Sequence, residues 1–343
     1  MKNLVITLFI VLCVCQVKAQ QDPQYTQYMY NMNVINPAYA GSRGTLSLGM
    51  LGRKQWTDID GAPKTATFSA HAPVARNVGG GLSVIADEIG PVKEQNVYAD
   101  VSYTLQTSEE GRLAFGLKGG VTFQNIDLLS IILPQDPNDP LFQDNMSNTY
   151  PNFGAGVYYY TDKFYVSFSV PNILKSTHFE KSNGVITKAS EEMHYFFTSG
   201  YVFQLSESLK LKPSVMFKGV SGAPVSVDMN ANVLIYDRLE LGASYRWDDS
   251  VSGLINFYVT RSFQMGYAYD YNVSDFNYAN TGGSHELFLL YDIDFNKKKL
   301  KLALENILNC DQRTKIFEDY YELEKVLGGH GASKKTAKLI VSE

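Results

Sequence analysis

Alternation of apolar and polar residues with a period of two is the feature that most constrains how this chain can fold. It is clearest in the second half of the sequence. In Val227–Ile235, Asp228 and Asn230 stand between apolar neighbours, and Leu239–Trp247 and Phe263–Tyr271 repeat the pattern. Successive side chains of a β-strand point to opposite faces of the sheet, so these runs predict strands with one polar and one apolar face.

The chemistry of the two faces distinguishes a membrane barrel from a water-soluble sandwich, which would also alternate. The polar residues here are mostly small hydrogen-bonding ones, and the apolar series end in aromatic residues. That pattern is typical of a lipid-facing wall with aromatic girdles around a polar lumen. The composition agrees, because only 19% of the residues are charged, against about 25% in average soluble domains.

The number of strands and the lengths of their connections give an independent indication. About fourteen alternating runs lie in Thr45–Phe295, an even number as in bacterial outer-membrane barrels. With a periplasmic N-terminus, the odd-numbered connections are expected outside the cell and longer. Asn125–Tyr150 and Pro171–Ser190 are long odd connections, and "DEIGPVKEQ" is a further odd connection expected outside the cell, whereas "TSEEG" and "TDK" are short even ones. We therefore predict an all-β, antiparallel transmembrane barrel of about fourteen strands over residues 44–295.

The N-terminus reads as a secretory signal peptide over residues 1–19, with Lys2 before an apolar core and a small-residue cleavage pattern at Val17–Ala19. Two of the three cysteines lie inside it. That leaves Cys310 alone and predicts neither a disulfide framework nor a zinc site. No later stretch is apolar over the roughly 18 residues of a membrane helix. We expect an exported outer-membrane protein whose N-terminus is periplasmic.

An uncharged segment, Gln24–Gly41, follows the signal peptide and is rich in Tyr, Met, Asn and Gln. Part of it has helical rather than alternating spacing, and its Asn-Pro step ends any helix before the barrel begins near Thr45. Such side chains can pack against a polar lumen wall without leaving buried charges unpaired. We interpret residues 20–43 as a plug or periplasmic docking element, with an ordered lead-in to the barrel as the alternative. The residues assigned to this role are Tyr25, Tyr28, Met29, Met32, Asn36 and Pro37.

The inward face of the predicted barrel carries charges of both signs. They indicate a selective pore or an ion-pair network around a plug, and the simplest interpretation is that they hydrate and cross-link the interior. A selective pore would more often show one sign in excess. The predicted luminal charges are Asp100, Lys210, Lys212, Lys218, Asp228, Glu240, Arg246 and Asp270.

The sequence contains none of the catalytic or cofactor-binding motifs that would indicate an enzyme. The histidines lack the supporting Ser and Asn pattern of an outer-membrane phospholipase, and no P-loop, dinucleotide fingerprint, HExxH or nucleophile elbow occurs. The net charge of −5, with no basic block before the C-terminal tail, argues against nucleic acid as a partner. We predict a protein that is not an enzyme and that binds no cofactor, metal or nucleic acid.

One long connection, Leu133–Asn145, is rich in proline and acidic residues. Oxygen-rich loops of this kind can bind calcium, but the spacing does not match an EF-hand, which favours a stiffened surface loop. Long loops are more often functional than decorative. We therefore expect this loop to contact an extracellular partner through Asp136, Asp139, Phe142 and Asp144.

Several sequence blocks together resemble one family of outer-membrane proteins. They are "QDPQYTQYMYNMNVINPAYAGSRG", "LGRKQWTDIDGAPKTATFSAHAPV", "PNFGAGVYYYTDKFYVSFSVPNIL" and "GGSHELFLLYDIDF". These blocks are similar to the PorP/SprF family associated with type IX secretion in gliding and related bacteria, over residues 20–295. The resemblance implies a barrel without enzymatic activity that partners a large secreted surface protein, such as an adhesin with a type IX C-terminal sorting domain. It also implies contacts with other type IX components and with outer-membrane lipid.

Two other functions stay open on the sequence alone. A passive channel or transporter for small or hydrophobic solutes would use the same fold, and conductance without a protein partner would favour it. An outer-membrane lipid enzyme would need the catalytic constellation that the sequence lacks.

Residues 296–343 differ in character from the barrel. Ile316, Tyr320 and Leu323 have helical spacing, and Gly328-Gly329 predicts a helix stop. The stretch "DYYELEKVLGGHGASKKTAKLIV" resembles the C-terminal end of lipid-A-disaccharide synthase. The catalytic and nucleotide-binding parts of that enzyme are absent, so no activity carries over. A gene fusion, an assembly accident and coincidental helical similarity are the three explanations for this tail.

Overall fold

The computed structural model describes residues 23–130, 144–174, 177–182, 185–190, 193–220, 223–274 and 282–294. Several predictions fall outside these residues: the signal peptide, the helical tail over 296–343, and the loop residues Asp136, Asp139 and Phe142. Within the described part of the chain, no helix is long and apolar enough to cross a membrane.

The alternation of period two becomes β-structure along almost the whole described chain. Most strands pair antiparallel with their neighbours in sequence. The strands are β1 (Leu46–Lys54), β2 (Lys64–Ala75), β3 (Val78–Ile89), β4 (Val92–Gln106), β5 (Arg112–Ile126), β6 (Met146–Tyr160), β7 (Phe164–Val170), β8 (Thr177–Ser182), β9 (Val185–Ser190), β10 (His194–Tyr201), β11 (Phe203–Ser206), β12 (Leu209–Val220), β13 (Ser226–Ile235), β14 (Leu239–Arg246), β15 (Ser250–Tyr258), β16 (Phe263–Asn272) and β17 (Ser284–Ile293).

Two pairings close these strands into a barrel. β1 pairs antiparallel with β17, with Leu46 opposite Ile293, and β10 pairs antiparallel with β12, with His194 opposite Val220. β11 continues β10 after Val202 along the same neighbour, β12, so the two count as one barrel strand. β8 and β9 form a separate hairpin. The barrel therefore has fourteen antiparallel strands, which confirms the predicted all-β barrel.

Side-chain burial alternates along the strands, with polar side chains buried in the lumen and apolar side chains exposed on the outside, as a membrane requires. In β13, Asp228 and Asn230 are buried, whereas Met229 between them is 43% exposed. In β16 the even-numbered residues Gln264 to Asn272 are buried, and the tyrosines between them are exposed. An exterior of Val, Leu, Phe and Tyr is stable against lipid. The polar inner face, in contrast, has to find hydrogen-bond partners in the lumen.

The two ends of the barrel differ in the lengths of their connections. The short-turn end carries turns such as 76–77, 161–163 and 236–238, and the long-connection end carries 55–63, 127–145, 171–193 and 273–283. Outer-membrane barrels place their longer loops on the extracellular side.

One expected outer loop, "DEIGPVKEQ", is mostly strand in the structure. The β3–β4 ladder continues until Ile89 lies opposite Val92, and only Gly90 and Pro91 remain in the turn. Gly90 has φ +55°, a conformation that glycine adopts without steric penalty. The hairpin therefore extends further than the sequence pattern suggested.

The uncharged N-terminal segment forms three short helices inside the barrel. They are a 3₁₀-helix at Tyr28–Tyr30, the helix α1 at Met32–Ile35, and a 3₁₀-helix at Pro37–Tyr39. The helical spacing is present, but no continuous helix forms, because Asn36 has extended backbone angles, as residues before proline prefer. The Asn36 side chain accepts a hydrogen bond from Ala38 N at 2.9 Å and so caps the third helix.

Candidate functional site

Residues 23–44, the luminal segment, run through the barrel from one end to the other. At the long-connection end, Arg246 Nη1 donates a hydrogen bond to Gln24 Oε1 at 3.1 Å. At the short-turn end, Arg43 Nε donates to Asp292 Oδ1 at 3.1 Å. We expected the segment to begin on the periplasmic, short-turn side. Its first described residues lie instead at the long-connection end, because the side chains that anchor them are there.

Inward-facing glycines make room for this segment. Gly116 of β5 and Gly156 of β6 lie opposite each other in the ladder. A Cβ atom on Gly116 would lie 2.1 Å from Ala38 N, and one on Gly156 would lie 2.0 Å from Asn36 Oδ1. The segment therefore approaches the wall more closely than any larger residue would permit at these two positions.

The strongest anchor of the luminal segment is a cluster of ion pairs around Glu286 of β17. Its carboxylate accepts hydrogen bonds from Thr26 N at 2.9 Å and Gln27 N at 2.7 Å. Arg53 lies 3.1 Å from the same carboxylate and 2.6 Å from that of Asp270. Thr26 Oγ1 also donates to Asp270 at 2.8 Å. These three charged side chains are at most 3% exposed. Their hydrogen bonds and ion pairs are therefore shielded from water, and electrostatic attraction is stronger there than in water.

Tyr30 joins a second cluster, on β12, β13 and β14. Its hydroxyl donates to Glu240, which also accepts from Lys212 Nζ and Asn232 Nδ2, each at 2.7 Å. The Tyr30 ring stacks on Phe288 with 4.6 Å between ring centroids.

Lys118 of β5 forms a third cluster. Its Nζ donates to Val34 O at 2.8 Å and lies 3.6 Å from Asp100 Oδ1. Asn33 Nδ2 donates to Asp100 Oδ2 at 3.4 Å. The Lys118 and Asp100 side chains are fully buried. A buried ammonium without partners is strongly unfavourable, so the α1 carbonyl contributes to holding this charge in place.

Neutral hydrogen bonds hold the later part of the luminal segment. Asn36 Nδ2 donates to Ser167 Oγ at 2.6 Å, and Ser169 Oγ donates to Ile35 O at 3.0 Å. Both serines lie on β7 and point into the barrel, where they are buried. Small hydroxyl residues on the inward face thus satisfy backbone and amide groups of the segment.

The predicted residues of the segment all lie within the barrel. Tyr25, Tyr28, Met32, Asn36 and Pro37 are buried, and Met29 is half-buried. Tyr28 is fully buried, and its hydroxyl donates to Ser214 Oγ at 3.1 Å. The apolar residues of the segment pack against inward-facing wall residues, among them Leu51, Ile85, Tyr98, Phe288 and Leu290.

The structure separates the eight predicted luminal charges into two groups. Lys210 lies at the rim of the short-turn end, where it pairs with the exposed Asp237 at 2.6 Å. It shares the inward parity of β12 and stands next to the 236–238 turn, so it lies at the end of the barrel. The other charges lie in the interior: Asp100, Lys212, Lys218, Asp228, Glu240, Arg246 and Asp270.

Sequence reasoning missed three buried charges that hold the segment, Arg53, Lys118 and Glu286. The alternation itself contained the signal. Arg53 has the same parity as the inward-facing Ser47, and Glu286 alternates with the lipid-facing Leu287. Lys118 likewise has the parity of the inward-facing Gly116 on β5. Parity along β1, β5 and β17 therefore indicates that all three side chains face the lumen.

The arrangement holds a segment of the chain in place rather than poising groups for a reaction. The interior carboxylates described above bond to cations, to hydroxyls or to backbone N–H groups of the segment. Among the described residues, no group of three or more His, Cys, Asp and Glu side chains could hold a metal ion.

A closed barrel with an apolar, tyrosine-rich exterior and a polar interior is an outer-membrane β-barrel. The family model described as "Type IX secretion system membrane protein PorP/SprF" matches residues 17–291. The chain belongs to this PorP/SprF family of the type IX secretion system, as its sequence blocks suggested. The barrel fold and the family membership together indicate that the chain is an outer-membrane protein.

Three similar solved structures illustrate the likeness in fold. Acinetobacter baumannii Omp33 is 10% identical, with 73% of this chain and 98% of that chain covered and a TM-score of 0.42. A Pseudomonas aeruginosa FadL homologue is 11% identical, with 81% and 96% covered and a TM-score of 0.42. The TodX deltaS2S3 mutant, a monoaromatic hydrocarbon channel, is 11% identical, with 77% and 94% covered and a TM-score of 0.44. No curated protein sequence matches the chain. Identities this low carry no information on what this chain binds.

Proposed function

We propose that this barrel acts without catalysis as the partner of a large secreted surface protein. The partner would be adhesin-like, with a type IX C-terminal sorting domain, and the barrel would aid its export or its attachment to the cell surface. Membership of a type IX secretion family supports the secretion role. The single observation that carries the proposal is the luminal segment, which occupies the path that a solute would take through a channel.

In this proposal the luminal segment is a plug. Wall charges that a channel would present to solutes are bonded to it instead: Glu286 to the backbone of Thr26 and Gln27, and Lys118 to the carbonyl of Val34. Removing the segment would leave these buried charges without part of their partners, which is strongly unfavourable. The barrel therefore acts through its outer surface and its connections, while its interior is filled.

The long connection between β5 and β6 is our proposed contact with the extracellular partner. Asp144 is exposed just before β6, and Asn145 accepts a hydrogen bond from Leu129 N at 3.1 Å. Asp136, Asp139 and Phe142 belong to the same connection. Replacing residues 133–143 by a Gly-Ser linker of equal length would keep the barrel strands. Loss of surface display with normal barrel abundance is the expected result.

A deletion strain tests the proposed function. Without the barrel, the cognate surface protein should accumulate inside the cell or be released into the medium, and expression of the full-length chain should restore its display. Immunoblots of cell, surface and medium fractions measure this distribution. Normal display in the deletion strain would overturn the proposal. Pull-down of the intact barrel from solubilised outer membrane provides the direct measure of the complex.

A further inference from the structure

The long-connection end of the barrel has an open depression, the outer cup, with a volume of about 620 Å³. The first described residues of the luminal segment form part of its lining, together with the 55–63, 224–226 and 246–249 regions. Both tryptophans of the chain, Trp56 and Trp247, line this one depression. Such a concentration of the largest aromatic side chains is typical of binding hot spots.

The backbone is held in an uncommon conformation at Trp56 and at the residue that follows Trp247. Trp56 has φ +41°, and Asp248, which follows Trp247, has φ +58°. A bulky residue with positive φ is sterically disfavoured and persists only where the surroundings fix it. Here Trp56 N donates to Ser284 Oγ at 3.3 Å, and Trp247 N donates to Val227 O at 2.9 Å. These bonds fix the two tryptophans at the mouth, and the Trp247 side chain is 65% exposed.

The charges around the outer cup are predominantly negative. Asp87, Asp248 and Asp249 line it, against the single guanidinium of Arg246. Arg246 is already engaged, because Asp228 lies 2.6 Å from its Nε and Asp249 lies 3.1 Å from its Nη1. The cup therefore offers aromatic faces beside carboxylates, an environment that favours a cation lying over a tryptophan ring.

We propose that the outer cup docks an extended segment of the secreted partner that carries a Lys or Arg next to an apolar side chain. The apolar group packs against the tryptophans and against Pro63, Ile89 and Val225, and the cation lies among the carboxylates. This inference rests on the proposed function, because it assigns a docking site and a chemistry to that partner. It also gives the luminal segment a second role, since Pro23 and Gln24 contribute to the surface that the partner contacts.

Intrinsic tryptophan fluorescence provides a direct test, because the only two tryptophans of the chain both lie in the cup. Purified full-length barrel in lipid nanodiscs is titrated with the blocked peptide Gly-Leu-Arg-Leu-Gly and with its matched counterpart carrying Glu in place of Arg. We expect saturable quenching or a spectral shift with the Arg peptide, at least tenfold weaker with the Glu peptide, and weakened by added salt. An equal response to the two peptides, or no response to either, would overturn the proposal.

Two variants locate the binding. Asp248→Asn should weaken the response to the Arg peptide at least threefold, whereas Asp237→Asn, an exposed carboxylate at the opposite end of the barrel, should leave it unchanged. Trp247→Phe should remove most of the signal change while keeping the fluorescence of Trp56 as a check on folding. Equal effects of the two Asp variants would contradict a site in the cup.

Surface display in cells separates the cup from the proposed function. If the deletion strain and a strain with Trp247→Ala both lose display of the surface protein, the cup is supported. If only the deletion strain loses display, the cup is overturned as the docking site and the proposed function stands. If the deletion strain displays normally, the proposed function fails, and the fluorescence titration still decides whether the cup binds cationic segments.

Discussion

At the scale of single residues, Glu286 is the side chain on which the anchors of the luminal segment converge. It accepts two backbone N–H groups of the segment and one guanidinium N–H of Arg53. All its partners are donors, so only a charged carboxylate satisfies them together. Because Glu286 is buried, the arrangement is sensitive to the loss of any one of these partners.

We predict that Glu286→Gln destabilises the barrel by about 3–5 kcal/mol, the usual effect of breaking a buried ion pair. A glutamine amide nitrogen would face donor groups, so at least one of the bonds to Thr26, Gln27 or Arg53 would be lost. Urea titration of the protein refolded in lipid vesicles measures the free energy of unfolding. The control is Lys210→Gln, which breaks the exposed pair with Asp237 and should change it by less than about 1 kcal/mol. Equal effects of the two substitutions would contradict the anchoring role.

Gly156→Ala is predicted to disturb the luminal segment directly. The added Cβ would lie 2.0 Å from Asn36 Oδ1, so the segment has to move away from β6. Overpacking of this kind destabilises by about 1–3 kcal/mol. Gly52→Ala on the lipid-facing side of β1 is the matched control, since a Cβ there has no atom within 4 Å. If the two variants unfold at the same urea concentration, the segment does not approach β6 as closely as the structure indicates.

At the scale of elements, the luminal segment crosses the barrel and is not confined to one mouth. Its anchors change along the way, from ion pairs near the long-connection end to neutral hydrogen bonds on β7, and then to the Arg43–Asp292 ion pair at the short-turn end. Gln24 lies at the long-connection end because Arg246, which donates a hydrogen bond to it, is located there. The direction of the segment therefore follows from where the wall places its charges.

A cysteine at position 23 should be reachable from outside the cell. In a Cys310→Ser background, Pro23→Cys should react with a membrane-impermeant maleimide on intact cells, as should Asp248→Cys in the 247–249 connection. Glu109→Cys, in the short turn 107–111, should react only after the outer membrane is opened. Labelling of position 23 only in opened cells would contradict the direction of the luminal segment.

The sequence predicted the wall better than it predicted the contents of the barrel. Alternation determines which face of a strand is inward, so the strand count and the positions of Asp228, Glu240 and Asp270 could be read directly. The route of the luminal segment could not, because helical spacing says nothing about which wall groups a segment meets. The contacts of Thr26 and Gln27 with the Glu286 carboxylate are made by their backbone N–H groups, which every residue except proline carries.

At the scale of the whole molecule, the barrel combines a lipid-facing exterior, an interior filled by its own chain and an outer surface built from long connections. The interior charges are distributed over the wall on β1, β4, β5, β12, β13, β14, β16 and β17, so the segment is held from several sides. The luminal segment leaves a solute no straight path through the barrel. In our proposal, the working surface of the protein is its outer end.

Planar-bilayer conductance of the purified full-length barrel tests this account most directly. The intact protein should give no stable conductance steps, because the luminal segment fills the path. A variant that lacks residues 21–33 but keeps the barrel strands should give steps of constant size, and a heat-modifiability gel confirms that it is folded. Stable conductance by the intact protein, equal to that of the folded deletion variant, would contradict the central claim and favour a channel.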